Sequence, residues 1–405
     1  MRVADRLARI EPFYVMECAK RADEIARSPL CDPAQGGRRM IYLNIGEPDF
    51  GASPAVLRAA AACVEQGRVP YTAATGLPAL RDKLSQWYRQ TQGLDIAPQR
   101  IVVTAGASAA LQLACLALFQ AGDEVLMPDP CYPCNRHFVA AVDALPRLLP
   151  CGPEQRFQLS LAQLEQHWNE RSRGVLLASP SNPTGTSIAP DELARLRAFV
   201  KARGGVTIVD EIYQSLGYDE RFGHSALGLD AGAGEDVVSI NSFSKYFGMT
   251  GWRLGWLVLP QALVAPVEKL AQNLYICPST IAQQAALACF EPESIAEYER
   301  RKAQLRARRD FVVPALRAMG LEVPVEPDGA FYAWADLSRA GLPAGMGSWA
   351  LCMDLMQSAQ VALTPGRDFG PAFGERFLRL SFASADEDLR EALARMAARL
   401  QELRA

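Results

Sequence analysis

The chain is expected to fold around a mostly parallel α/β sheet with helices on both faces, joined to a smaller α+β domain. Three observations point there. Short β-branched and Leu-rich runs without polar alternation recur between Ile101 and Leu259, the pattern of strands covered on both faces. Helical periodicities lie between them, so the strands should be joined by crossovers. After Pro260 the pattern changes to long helices followed by a few short strands.

Taken in order, a first helix ends near Ala26, and Ser-Pro, Asp-Pro and Gly-Gly steps make a loop of Ser28 to Arg39. Helical patterns cover Pro54 to Gln66 and Leu77 to Thr91. IVVT (101–104) is a buried strand and Ser108 to Phe119 a helix; EVLMP (124–128) and VLLAS (175–179) are strands. A helix over Pro190 to Ala202 follows, then the strands VTIVD (206–210), VVSIN (237–241) and GWLVL (255–259). Long helices are expected from Gln261 to about Met319, short strands near Ala330 to Ala335, Ala362 to Leu363 and Phe377 to Phe382, and a last amphipathic helix from about Asp386. The expected division is a large domain over 49–289 and a discontinuous small one over 1–48 and 290–405, with the first helix packing on the latter.

Composition narrows the function. Hydrophobic residues at 49% and charged residues at 21% suit a soluble enzyme, and a net charge of −3 with interspersed signs argues against nucleic acid or an anionic membrane as partner. No apolar run reaches the length of a membrane span, and the N-terminus has charges throughout instead of a signal core. Ten cysteines scattered singly along 405 residues read as reduced thiols in a cytoplasm rather than a disulfide scaffold. Cys131-Tyr132-Pro133-Cys134 is a CxxC, but His137, His167 and His224 offer no second ligand pair at zinc spacing, so no metal is expected; a redox pair is the minor alternative.

Four segments carry candidate chemistry. In SFSKYFGMTGWRLGW (242–256), Lys245 follows a strand end, where α/β sheets place ligands, and Arg253 offers a forked anion contact. A solvated basic loop is the alternative. In VTIVDEIYQSLGYD (206–219), Asp210 ends an apolar strand with Tyr213 three residues on. A buried carboxylate there needs a donor or cation, although a helix N-cap would also use Asp. In ASPSNPTGT (178–186), two X-Pro steps flank Asn182, which marks either a candidate cis bond or a plain turn. In VTAGASAALQLA (103–114), a strand runs through Gly106-Ala107-Ser108 into a helix, the form of a phosphate cradle and also of many ordinary βα turns.

Together with YLNIGEPDF (42–50), YTAATGLPALR (71–81), PDGAFY (327–332) and RLSFA (379–383), these segments resemble, in order and spacing and over nearly the whole length, the class I/II aminotransferases of the aspartate aminotransferase superfamily, pyridoxal 5'-phosphate enzymes of fold type I. The resemblance implies an enzyme that moves an amino group between an L-amino acid and a 2-oxo acid by a ping-pong mechanism. Lys245 matches the lysine that carries the cofactor and then acts as base and acid. Asp210 matches the carboxylate paired with the ring nitrogen, Tyr213 and Asn182 the donors to the ring's phenolic oxygen, and Tyr132 the aromatic stacked on the ring, with core packing as its alternative. The phosphate would lie on the backbone of Ala107 and Ser108, with Ser242 and Arg253 as side-chain contacts. Tyr71 matches a tyrosine that reaches the phosphate across a homodimer interface.

Arg379 matches the clamp on the substrate α-carboxylate, with Gly46 beside it and Asn182 nearby, whereas Arg376 is read as a surface residue. Phe331 and Phe369 either line the substrate pocket or fill the core, and Ser244 receives no role. AQNLYICPST (271–280) lacks Arg and Lys, which favours donors with neutral aliphatic or aromatic side chains. Two rival functions are weighed: a lyase or cyclising enzyme of the same fold, and a non-catalytic cofactor- or ligand-sensing module. The second would carry a DNA-binding segment ahead of the fold, and the recognisable pattern begins by about Phe13.

Overall fold

The computed structural model describes residues 2–12, 14–229 and 234–405; Phe13 lies outside them. After a 3-10 helix over Asp5–Arg9 come helix α1 (Tyr14–Ala26) and strand β1 (Ile41–Tyr42), with two short 3-10 turns, Pro29–Cys31 and Pro33–Gln35, in the expected loop between them. Helices α2 (Pro54–Glu65) and α3 (Pro78–Gln92) follow. Each starts on a proline, whose missing N–H costs nothing in a first turn. Then come β2 (Ile101–Thr104), α4 (Ala107–Leu118), β3 (Glu124–Asp129), α5 (Pro133–Ala141), β4 (Leu145–Pro150), α6 (Leu161–His167), β5 (Ser172–Ala178), α7 (Pro190–Ala202), β6 (Val206–Asp210), β7 (Val237–Ser242) and β8 (Gly255–Val258). The rest comprises α8 (Gln261–Leu274), α9 (Thr280–Ala286), α10 (Pro292–Ala318), β9 (Tyr332–Asp336), α11 (Ser348–Asp354), β10 (Val361–Ala362), β11 (Thr364–Pro365), β12 (Phe377–Ser381) and α12 (Asp386–Arg404).

The main sheet has seven strands in the order β2-β8-β7-β6-β5-β3-β4. All run in one direction except β8, which is antiparallel to both neighbours. Between β7 and β8 the chain forms loops and a 3-10 turn, Thr250–Trp252, rather than a crossover helix, and β8 returns antiparallel beside β7. Successive residues feed opposite cores: Leu176 and Ile208 pack with α4 and α8 residues on one face, while Val175, Leu177 and Val209 join the large cluster on the other. Burial on both faces is what removed polar alternation from these strands, and each such Leu or Ile contributes about 2 kcal/mol.

A second sheet, β11-β12-β9, is antiparallel, and β1 pairs in parallel with β10. Helix α1 packs against β10 and β11. It buries Val15, Cys18, Ala22 and Ile25 at helical spacing. Arg376, on the edge of β12, is exposed and forms a two-point ion pair with Asp336 on β9.

Candidate active site

The strands β2, β3, β5, β6 and β7 end at one edge of the main sheet, and the segments leaving them carry most of the singled-out residues. Asp210 is the last residue of β6, Ser242 the last of β7, and Tyr132 immediately precedes α5. Here lies a cavity of about 410 Å³ lined by Gly46, Ala107, Ser108, Tyr132, Asn182, Asp210, Tyr213, Ser242, Lys245, Arg253 and Arg379, together with Ser244, Tyr332 and apolar residues described below. Its size suits a small cofactor with a substrate. Tyr71 is not among them: it is 78% exposed on the surface of its own chain, beside Thr280 and Gln284.

Lys245 reaches the cavity from the turn after β7, and its Nζ donates to the Gly46 carbonyl at 2.7 Å. Burial pushes this amine down to about 8, with Arg379 and Arg253 acting in the same direction and Glu47 and Asp210 opposing. Asp210 is 5% exposed and accepts one hydrogen bond, from the Ile212 amide at 3.1 Å. Burial with so little compensation pushes its carboxyl up to about 7; the neighbouring Glu211 adds to the rise and Lys245 opposes it. Glu211 turns away from the cavity and is held by Ser225, Ala226 and Ser239. Tyr213 Oη lies 2.8 Å from Tyr332 Oη, and burial raises both phenols.

Arg379 is 3% exposed, and among the described residues no carboxylate lies within ion-pair distance of it. Its Nη1 donates to Asn182 Oδ1 at 2.8 Å and its Nη2 to the Asn44 carbonyl at 2.6 Å, while its Nε has no partner. The guanidinium lies against the rings of Tyr332, at 4.4 Å, and Phe369, at 5.0 Å. Asn44 is fully buried with both side-chain amide atoms unpaired. A buried cation with no carboxylate at ion-pair distance is costly even with Asp368 acting on it from further off, so this corner suits an anion.

A second anion corner faces it. Helix α4 has no side-chain cap, so its first amides point into the cavity. Gly106, at φ +84°, precedes it, and a Cβ there would lie 2.8 Å from Arg253 Nη2. At that φ a side chain is strained, so glycine suits the turn that brings the guanidinium against the open helix end. Ser242 Oγ and Ser244 Oγ, 2.8 Å apart, complete that side.

Several participants were not singled out from sequence. Tyr332, in the PDGAFY run, lines the cavity, while Phe331 and Phe369, for which pocket lining and core packing were both open, are fully buried. A Cβ on Gly46 would collide with the Tyr332 hydroxyl, which explains the glycine of the IGEP turn. Val15, Met16 and Ala19 of α1, with Ile45, make an apolar wall. The bonds Ser179-Pro180 and Asn182-Pro183 are cis. Cys131 is buried and Cys134 half-buried, and burial pushes both thiols up, away from the thiolate a redox pair would use.

Comparison with known proteins agrees with this geometry. Residues 38–396 match the family described as aminotransferase class I and II. The chain is 39% identical over 395 residues to a valine–pyruvate aminotransferase of Mycobacterium tuberculosis, covering 98% of this chain and 97% of that protein. It is 32% identical over 404 residues to an aspartate aminotransferase of Pyrococcus abyssi, covering 99% of each. The crystal structure of an aminotransferase from Mycobacterium tuberculosis superposes with a TM-score of 0.91 at 38% identity, covering 99% of this chain and 100% of that one. The aspartate aminotransferase of Rhizobium meliloti gives 0.89 at 29% identity, covering 100% of both. With a mostly parallel seven-stranded sheet, a lysine at its edge and matches along nearly its whole length, the chain belongs to the class I and II aminotransferases and is an enzyme that transfers amino groups.

Proposed function

We propose that this enzyme exchanges an amino group between an L-amino acid with a neutral aliphatic side chain and a 2-oxo acid, in alternating half-reactions on bound pyridoxal 5'-phosphate. The observation that carries the reading is one cavity holding a lysine amine, an under-compensated buried carboxylate and two separate anion corners. The residues fit the cofactor. The open end of α4, with Ala107, Ser108, Ser242 and Arg253, suits a phosphate. Asp210, with its single amide donor, suits a protonated ring nitrogen. Tyr213 and the amide nitrogen of Asn182 are left to meet a phenolic oxygen, and Tyr132 to cover the ring face. When bound, the cofactor supplies a conjugated electron sink that lets an α-proton leave the substrate. Lys245 holds the cofactor and, once released, carries that proton, a task suited to an amine brought down to about 8. Arg379, with Asn182 and the backbone at Gly46, orients the α-carboxylate.

The donor assignment rests on the wall of Val15, Met16, Ala19 and Ile45. Among the described lining residues the cations are Lys245, Arg253 and Arg379, and each has a task already. None is left for a distal carboxylate. The relative named for valine and pyruvate is consistent with this. The test is a panel of donors against 2-oxoglutarate and pyruvate with products identified by mass. Valine-like donors should exceed aspartate by about 10-fold or more in kcat/KM; a preference for aspartate would overturn the assignment. Run on Arg379→Lys, the same panel should fall by roughly 10²-fold for every donor, about 3 kcal/mol of transition-state binding, because lysine cannot make the planar two-point contact. Cofactor affinity should stay nearly unchanged. A loss confined to one donor would show that Arg379 is not the common clamp.

The working form is a homodimer in which Tyr71 completes the phosphate corner of the partner. Its exposure, with Val64 and Val69 exposed nearby, supports this reading. Mixing Tyr71→Phe subunits with Lys245→Ala subunits should generate sites with neither lesion, more active per lysine than the Tyr71→Phe parent. If subunit exchange is demonstrated and no gain appears, Tyr71 does not act across the interface. The chain divides into a large unit, 49–289, and a discontinuous small one, 1–48 with 290–405, as the pairing of β1 with β10 supports. Free and mostly buried cysteines support a cytoplasmic location.

A further inference from the structure

The apolar wall of the cavity is carried by a helix whose first turn is held from far away in the chain. Val15, Met16 and Ala19 project from the N-terminal half of α1. The leading amides of that helix have no partners within it. Asp368 supplies them: its Oδ1 accepts from the Tyr14 amide at 3.1 Å and its Oδ2 from the Val15 amide at 3.2 Å, across 353 residues of sequence. Asp368 is fully buried in the 3-10 turn Gly366–Asp368 after β11, and its own carbonyl accepts from Arg136 at 3.2 Å. Its neighbours bind both sides of the site. Arg367 stacks on Trp349 at 3.7 Å and on Tyr14 at 4.7 Å, and Phe369 lies against Arg379. The same turn therefore holds the helix that walls the cavity and borders, through Phe369, the arginine assigned to the α-carboxylate, whose own hydrogen bonds go to Asn182, Asn44 and Thr364.

We propose that Asp368 is a positioning residue for donor selectivity: by fixing the first turn of α1 it sets how far Val15, Met16 and Ala19 reach into the cavity, and so which donor side chains fit. Met16 makes the dependence acute. It is 63% exposed, so its own side chain adds little to holding the turn, which rests on the Asp368 bridge together with the buried Val15 and Cys18. A carboxylate bridging two amides is a strong anchor, because charged acceptors bind about twice as strongly as neutral ones. The inference rests on the reading of the donor as a neutral aliphatic amino acid.

The experiment compares the holoenzyme with its Asp368→Ala and Asp368→Asn variants, using valine and alanine as donors, with hydrogen exchange of the amides of residues 14–19 as a second readout. In Asp368→Ala, KM for valine should rise by about 10-fold with kcat within about 3-fold, while KM for alanine, whose methyl does not reach the wall, should change less than about 2-fold. Asp368→Asn keeps one acceptor oxygen and should recover part of the loss. Exchange at residues 14–19 should quicken in Asp368→Ala. Unchanged exchange overturns the anchoring role, and an equal loss with both donors overturns the selectivity role. If the parent enzyme prefers aspartate, the donor assignment fails instead. The comparison is then made between aspartate and alanine, so Asp368 is judged either way.

Discussion

Lys245→Ala is expected to lower turnover by about 10⁵-fold and to abolish the visible absorbance of lysine-attached pyridoxal. On the proposed reading two losses combine in one side chain: the attachment point of the cofactor and, among the described lining residues, the only lysine amine that could move the α-proton. Alanine leaves Arg253 and the α4 end untouched, so the cofactor should still bind through its phosphate. Single-turnover kinetics beside a cofactor titration separate the two effects. Turnover within 10-fold of the parent, with the band intact, would remove Lys245 from the chemistry. A pH measurement tests the environment of the same amine. Burial lowers it to about 8, so in cofactor-free protein its reaction with an amine-selective reagent should rise with pH through a midpoint near 8. At pH 7.5 roughly a quarter of it would be neutral, against about one in a thousand for an ordinary lysine. A midpoint above 10 would show that the amine is solvated.

Asp210→Asn carries the second-largest expected effect. The amide is nearly isosteric and retains an oxygen for the Ile212 amide, so fold and cofactor affinity should hold to within a few-fold. What disappears is the negative charge that the proposed reading sets opposite the ring nitrogen. A charge pair at hydrogen-bond distance, in surroundings of effective dielectric about 20, is worth several kcal/mol, so turnover should fall by about 10³-fold. Glu211 cannot substitute, because its carboxylate is turned into the protein and saturated by Ser225, Ala226 and Ser239. A loss of less than about 10-fold would assign the ring nitrogen to another partner.

The residues proposed for these steps were legible because their chemistry lies in short contiguous runs: SFSK, VDEIY, SNPTG and the glycine before α4 each sit at a strand end. The strands of the main sheet were legible where burial on both faces left unbroken apolar runs. β4 was not, because its sequence, LPRLLP, contains two prolines. That composition is tolerated because β4 is the sheet edge, where a missing donor breaks no ladder. Helix α6 was overlooked although its start carries a capping box from Ser160 to Gln163, a signal visible in sequence. The reversal of β8 and the break between α8 and α9 at Cys277-Pro278 are matters of connection length and local turn, which apolar patterning does not encode. The wall formed by α1 was hidden for a different reason. Amphipathic spacing tells which face of a helix is buried, not that its edge borders a cavity assembled from residues hundreds of positions away.

The parallel pairing of Ile41 with Val361 also bears on how the protein is made. On a ribosome adding about 5 to 20 residues per second, the roughly 320 residues from Ile41 to Val361 take roughly a quarter of a minute to a minute to emerge. Throughout that time Ile41 and Leu43, both buried in the finished protein, have no sheet to join. Helix α1 likewise waits for Asp368. The β1 segment therefore leaves the ribosome long before its pairing partner, and its apolar residues are the ones a growing chain exposes longest.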